Sequence, residues 1–390
     1  MPGLLVLMGS GETSPTMVEV HRAATRTLRA GARAVLLDTP YAFQENRADI
    51  SARARRYFAH SVGLDVEVAT GIAGADWVFS GPGSPTYALD RWCDSGVAGD
   101  LRARVRARQG VTVLASAAAC TAGLATVPVY EIYKVGAEPH WREGLDLLEP
   151  LGLQAVLIPH FDNAEGGTHD TRYCYLGERR LSRMERELPP GTAVLGIDEH
   201  TAVVIDLESQ AVQVAGRGGL TVRRPGSATV LPAGTRTDLA ELRRLAEGVA
   251  GTSVPPPPVA EAAPAEVTLE ETIRSCEERF AAAAGEPDLV AAAQIVLDLE
   301  AEIVKWAADT EEDAGGVDQA RELMRLLIAR LGELASTGGL RSLVEPLLAL
   351  RAELREEGRY DVADALRAAM HAGGVVVEDT PDGPRWAPAP

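Results

Sequence analysis

The sequence predicts an α/β fold, a mostly parallel sheet flanked by helices, joined to a carboxyl-terminal α-helical bundle that ends in a small β-hairpin. Three observations predict it. Short β-branched runs alternate with longer amphipathic stretches over the first part of the chain, the pattern of strands buried on both faces by crossover helices. Residues 251–265 are proline-rich, Gly-Thr-Ser-Val-Pro-Pro-Pro-Pro-Val-Ala-Glu-Ala-Ala-Pro-Ala, which suits an extended spacer and no helix or sheet interior. Beyond them, apolar residues recur every three or four positions, as on one face of a helix.

In chain order, the runs 4–8, 34–37, 77–79, 111–114, 155–158 and 193–195 read as buried strands. The runs 202–205, 211–214 and 220–222, separated by polar or glycine turns, read as a closing antiparallel meander. Thr268 followed by Glu271 makes a capping box, and Leu289, Ala292, Val296, Leu299, Ile303 and Trp306 share one helix face. Ala320, Leu323, Leu327, Leu331 and Leu334 repeat the spacing, then Leu340, Val344, Leu347 and Leu354. Asp361 can cap a last helix through Met370, ended by Gly373 and Gly374, and 375–378 with 385–386 around Asp382-Gly383 suggest the hairpin. The division is therefore 1–250, a linker at 251–265, and 266–390.

Net charge is −18, and it is unevenly placed. From Ala265 onward, 26 acidic residues face 12 basic ones, a balance of −14 that leaves −4 for the rest. An acidic module repels phosphate backbones, whose binding is supplied mainly by cationic contacts. Apolar runs fall short of the roughly 18 residues of a membrane span, and Leu4 to Met8 lacks the basic flank of a signal peptide, so a cytoplasmic location is expected. Cys93, Cys120, Cys174 and Cys276 lack metal-ligand spacing; neither a metal nor a cofactor is expected.

Ligands of open α/β sheets sit beyond the carboxyl ends of the strands. The strand at 111–114 runs into Ala115-Ser116-Ala117-Ala118 and then a helical pattern, the outline of a turn that presents a serine nucleophile. Gly9-Ser10-Gly11-Glu12 and Ser80-Gly81-Pro82-Gly83 follow two other strands; such glycines let backbone N–H groups approach a ligand or an oxyanion, and tight βα turns explain them equally well. Pro159-His160-Phe161-Asp162 and His169-Asp170-Thr171-Arg172 gather two of the seven histidines in one stretch. A loop histidine can act as base to a serine if a carboxylate holds its other nitrogen, and Glu131 is one candidate for that acid. Cys120 reads as a packing residue.

In this order the motifs, with Gly196-Ile197-Asp198-Glu199-His200-Thr201-Ala202-Val203, resemble the cyanophycinase and dipeptidase E peptidases over about residues 1–232. That resemblance implies a class I glutamine amidotransferase-like fold and serine chemistry. It implies Ser116 as nucleophile, His160 as base and Glu131 as orienting acid, with Gly83 and Ala117 as oxyanion donors and Glu12, Asp162, His169, Arg172 and Glu199 lining the site. The family's elbow reads Gly-x-Ser-Ala-Gly, whereas Leu114 and Ala118 stand at its two glycine positions here. An alignment shifted by one residue would put Ala117 in the serine's place.

Arg351 to Arg355, Tyr360 to Arg367 and Gly374 to Trp386 resemble the carboxyl-terminal region of cysteinyl-tRNA synthetase, closely over about 340–386 and loosely back to 269. The synthetase's His-Ile-Gly-His and Lys-Met-Ser-Lys-Ser type signatures and zinc cysteines are missing. Three functions follow: a serine hydrolase acting on a small peptide, amide or ester; a catalytically degenerate protein of the same fold that binds a ligand or partner; and a tRNA-associated protein. The acidic tail disfavours tRNA unless Arg351, Arg355, Arg359 and Arg367 form a basic stripe. Homo-oligomerisation is left open.

Overall fold

The computed structural model describes residues 3–164, 169–248, 269–285, 288–307, 315–380 and 383–388, with backbone alone at 315 and 336–343. The linker at 251–265 and Thr268 of the capping box lie outside the described residues. Two compact units are present: Met1–Val267 with Lys305–Asp313, and Thr268–Val304 with Ala314–Pro390. Among the described residues, no helix is long and apolar enough to cross a membrane.

The first unit contains strands β1 (Leu4–Met8), β2 (Ala34–Leu36), β3 (Glu67–Val68), β4 (Trp77–Ser80), β5 (Val111–Ala115), β6 (Ala125–Thr126), β7 (Arg142–Glu143), β8 (Ala155–Ile158), β9 (Ala193–Ile197), β10 (Thr201–Asp206), β11 (Ala211–Gly216), β12 (Gly219–Arg224), β13 (Ser227–Pro232) and β14 (Arg236–Asp238). An eight-stranded sheet runs β14-β11-β10-β1-β5-β4-β2-β3 and a four-stranded sheet runs β13-β12-β9-β8, with β6 and β7 forming a small ribbon. Strands β1 to β5 of the large sheet are mutually parallel, and so are β8 and β9. Every residue of β1, β5, β8 and β9 is buried. In β1, Leu5 and Leu7 enter one apolar cluster, whereas Leu4, Val6 and Met8 enter another. The period of two thus supplies a core on each face of the sheet.

The expected meander is only half present. β10 and β11 pair, but β12 leaves them to pair with β9 and β13 in the other sheet. Glycine geometry accounts for the departure. Gly216 has φ 109°, and a Cβ there would collide with the His200 carbonyl. Gly218 then donates to Thr201 Oγ1 at 2.9 Å and Gly219 to Asp198 Oδ2 at 2.8 Å, which carries the chain across.

The second unit consists of helices Leu269–Gly285, Leu289–Trp306, Gly315–Glu356 and Tyr360–Ala372, followed by β15 (Val375–Thr380) paired antiparallel with β16 (Gly383–Pro388). The stripes beginning at Ala320 and at Leu340 belong to one helix, which continues through Pro346 although proline removes an intrahelical hydrogen bond. Asp361 is not the cap of the following helix. Arg359 is the N-cap residue and makes no side-chain cap; Asp361 stands in the first turn, where its charge favours the helix dipole. Val375 and Val377 of the hairpin pack with Val344, Leu348 and Met370.

Candidate active site

Ser116 is the first residue after β5 and opens the helix Ser116–Cys120. β5 lies between β1 and β4, so the serine stands at the middle of the sheet edge. Its φ is 47°, in the left-handed region that L-residues avoid, as expected of a strained strand-to-helix corner. Ala115, Ala117, Ala118 and Ala119 around it are all buried, so the elbow accommodates a methyl group on either side. The sites that tolerate no Cβ are on the facing loop. A Cβ on Gly81 would collide with the Glu12 carboxylate, and one on Gly83 (φ 128°) with the Pro40 carbonyl.

That loop is tied to the elbow by Ala118 N–H donating to Gly81 O at 3.2 Å, and to the β2 side by Ser84 N–H donating to Pro40 O at 2.8 Å. The amides of Gly83 and Ala117 therefore belong to two segments held against each other. Ala117 lies in the first helical turn, whose N–H groups have no intrahelical acceptor. Glu12 is fully buried beneath Gly81. Its carbonyl accepts from His21 Nε2 at 2.6 Å, and burial pushes the His21 imidazole down to about 4, which keeps it neutral.

His160 Nε2 lies 2.9 Å from Ser116 Oγ, and its Nδ1 lies 2.8 Å from Glu199 Oε1. A carboxylate on Nδ1 selects the tautomer with hydrogen there and leaves Nε2 to accept the serine proton. Glu199 also receives Asn163 Nδ2 at 3.2 Å, while its backbone N–H donates to Asp162 Oδ1 at 2.7 Å. Burial alone would raise the Glu199 carboxyl. The hydrogen bond and charge of His160, with Asn163 and His200, hold it below its ordinary value.

The carboxylate on His160 is thus Glu199, in place of the expected Glu131. Glu131 lies in the helix Val129–Tyr133, where its Oε2 is buried without a hydrogen-bond partner among the described residues. Topology explains the difference. β8 and β9 are adjacent parallel strands with Ile158 opposite Gly196, so the residues just beyond their ends, His160 and Glu199, meet. Adjacency of those two strands was the signal that could have identified Glu199.

Of the remaining candidates, Asp162 reaches the site through the Glu199 backbone. His169 is exposed, its ring 6.3 Å from that of Tyr133. Arg172 is occupied by Asp170, Nε to Oδ1 at 2.8 Å and Nη2 to Oδ2 at 2.9 Å, and that pairing, with the Glu178 N–H, holds the Asp170 carboxyl low. Cys120 is buried and its thiol is pushed up to about 12, which suits packing. Sequence reasoning missed Asn163 and the role of His200, whose Nδ1 lies 2.9 Å from Thr16 Oγ1. It also missed Asp198, raised to about 6 by burial and by the charge of Asp162. Among the described residues, no group of three or more His, Cys, Asp or Glu could hold a metal ion.

In the second unit, the arginine stripe converges on one carboxylate. Arg351 binds Asp379 through both terminal nitrogens at 2.7 and 2.9 Å. Arg355 and Arg367 approach the same carboxylate at 3.5 and 4.0 Å, and Arg359 lies 3.7 Å from Glu357.

Fold and site together define an α/β unit bearing a serine–histidine–glutamate constellation, followed by a helical unit with a terminal hairpin. Residues 337–386 match the cysteinyl-tRNA ligase anticodon binding domain family. The cysteine–tRNA ligase of Symbiobacterium thermophilum is 33% identical over 131 residues, 31% of this chain and 28% of that protein. That of Thermus thermophilus is 52% identical over 48 residues, 11% of this chain and 10% of that protein. The chain therefore spans a minor part of the length of these relatives. Among solved structures it is similar to a peptidase from an acI-B1 actinobacterium, with TM-score 0.45 and 18% identity over 61% of this chain and 97% of that one. It is also similar to a peptidase E-type protein from Listeria monocytogenes, with TM-score 0.37 and 12% identity over 60% of this chain and 99% of that one.

Proposed function

We propose that the first unit is a serine hydrolase acting on a small peptide, amide or ester. The observation that carries this reading is the continuous relay from Ser116 Oγ to His160 Nε2 at 2.9 Å and from His160 Nδ1 to Glu199 at 2.8 Å. In this mechanism Ser116 Oγ attacks the substrate carbonyl carbon while His160 Nε2 takes the hydroxyl proton. Negative charge collects on the carbonyl oxygen, for which the Gly83 and Ala117 amides are the donors. His160 then returns the proton to the leaving group, which departs as the tetrahedral intermediate collapses to an acyl-serine. Water, deprotonated by the same imidazole, releases the acid and restores the serine. Glu199 fixes the tautomer and stabilises the imidazolium formed on the way. All four cysteines are free, which fits a reducing compartment such as the cytoplasm.

A fluorophosphonate probe tests the reading without knowledge of the substrate, because phosphonylation requires only an activated hydroxyl. Wild-type protein should be labelled at Ser116, and Ser116→Ala and His160→Ala should each abolish labelling while remaining folded. Folded wild-type protein that resists the probe from about pH 6 to 9, the range over which imidazole loses its proton, would favour a ligand-binding descendant without hydrolase activity. The match at 337–386 favours a second reading, association with tRNA. Against it stand the charge of the tail and the capture of Arg351, Arg355 and Arg367 by Asp379. tRNA binding by the full chain that survives physiological salt would promote that reading.

A further inference from the structure

Ahead of the helix Gly177–Glu185 the backbone is left-handed at three successive non-glycine residues, Tyr173 (φ 61°), Cys174 (φ 56°) and Tyr175 (φ 63°). L-residues visit this region as single residues because Cβ crowds the following carbonyl, so a run of three persists only where its surroundings over-determine it. Those surroundings lead to the base. Tyr173 N–H donates to Phe161 O at 3.0 Å and Cys174 N–H to His160 O at 3.1 Å, while Phe161 N–H donates to Ile197 O at 3.1 Å. His160 is itself left-handed, with φ 48°. The Tyr173 ring packs on Phe161 with centroids 4.5 Å apart, and the guanidinium carbons of Arg172 and Arg223 lie 5.1 and 5.3 Å from its centre. Arg223 is in turn immobilised by Glu178 at 2.6 and 2.8 Å and by Glu185 at 2.8 Å.

We infer that Tyr173 is a positioning residue for His160. Its ring and backbone clamp Phe161, and through it hold His160 in the one backbone conformation that aims Nε2 at Ser116 and Nδ1 at Glu199. The inference rests on the serine-hydrolase reading, and it assigns to Tyr173 no contact with substrate. The ring carries the effect, since the contacts with Phe161, Arg172 and Arg223 are all made by its face or edge.

The test compares Tyr173→Phe, Tyr173→Leu and Tyr173→Ala in the full chain, measuring the rate of fluorophosphonate labelling and the proton resonance of His160 Nδ1–H. Tyr173→Phe should label within about twofold of wild type and keep the resonance, whereas Tyr173→Ala should label at least about tenfold more slowly, because displacement of a base by an ångström costs that much or more. Its Nδ1–H signal should move upfield or broaden as the bond to Glu199 loosens. Tyr173→Leu, which keeps apolar bulk and protects the fold, should fall between them on both readouts. Folded Leu or Ala variants with the wild-type rate and resonance would overturn the inference. A wild-type protein that does not label defeats the hydrolase reading instead, and the resonance then still decides whether Tyr173 places the imidazole.

Discussion

The two units handle polar groups in opposite ways. Among the described residues, nine non-glycine positions have a positive φ, and all nine fall between Arg108 and Gln210 of the α/β unit. Six of them, Ser116, His160, Tyr173, Cys174, Tyr175 and His200, form or adjoin the candidate site. The helical unit, by contrast, gathers arginines around Asp379 on regular backbone. Strained residues persist where an exact direction matters and the surroundings can enforce it. A helix surface needs no such strain to bring side chains three and four residues apart together. The contrast, among the described residues, confines this backbone strain to the first unit.

The largest test of that contrast is at the carboxylates of the first unit. Glu199→Gln should slow labelling by about a hundredfold or more, since an amide cannot hold the imidazole in the same tautomer. Glu131→Gln should leave the rate within about twofold. Equal losses from both substitutions would remove the geometric distinction between them. Measured rates of labelling under one probe concentration suffice.

Next in size is the charge cluster of the second unit. Arg351 is buried and bidentate, so Arg351→Met should lower the unfolding free energy by about 1–2 kcal/mol, the range of a hydrogen-bonded charged group with a partly exposed partner. Arg355→Met and Arg367→Met, at longer range and half-exposed, should each cost less than about 0.5 kcal/mol. Urea titration of each variant reads the difference, and none should change the labelling rate. A slower rate in Arg351→Met would show that this unit also serves the chemistry.

Smaller than the effect at Arg351 is a pH dependence. The Asp198 carboxyl, raised to about 6 by burial and by Asp162, holds its proton more tightly folded than unfolded. Its ionisation therefore costs stability, starting above the unfolded value near 4 and complete above about 6. Asp198→Asn keeps an oxygen for the Gly219 N–H and cannot ionise. It should match the wild-type melting temperature near pH 4 and exceed it by roughly 2–4 °C at pH 7. A gain that is the same at both pH values would mean that Asp198 is not the titrating group.

Much of the architecture was legible in the sequence because the central strands are apolar on both faces and announce themselves as unbroken runs. The exposed pair Glu67–Val68 and the strand Ser227–Pro232 carry no such signal. Ser116 and His160 could be singled out because each stands where an apolar run stops. Choosing between Glu131 and Glu199 required knowing which strand lies beside β8, and spacing along the chain does not contain that. The same holds for β12, sent to the second sheet by glycines that read equally well as a hairpin turn. Asp361 looked like a cap because of its residue type, but the helix starts one residue before it.

The relay is divided between sheets. Ser116 follows a strand of the eight-stranded sheet, whereas His160 and Glu199 follow adjoining strands of the four-stranded one. Past the helix that Ser116 opens, the chain is tied to the four-stranded sheet by Leu124 N–H, which donates to Ala155 O at 2.8 Å. Glu199 lies in the link of three residues, Asp198 to His200, that joins β9 of one sheet to β10 of the other, so the carboxylate is tied to both. Leu114 of the first sheet and Leu157 of the second sit in one buried apolar cluster, so the reach from hydroxyl to imidazole is set by packing between the sheets and by neither ladder alone.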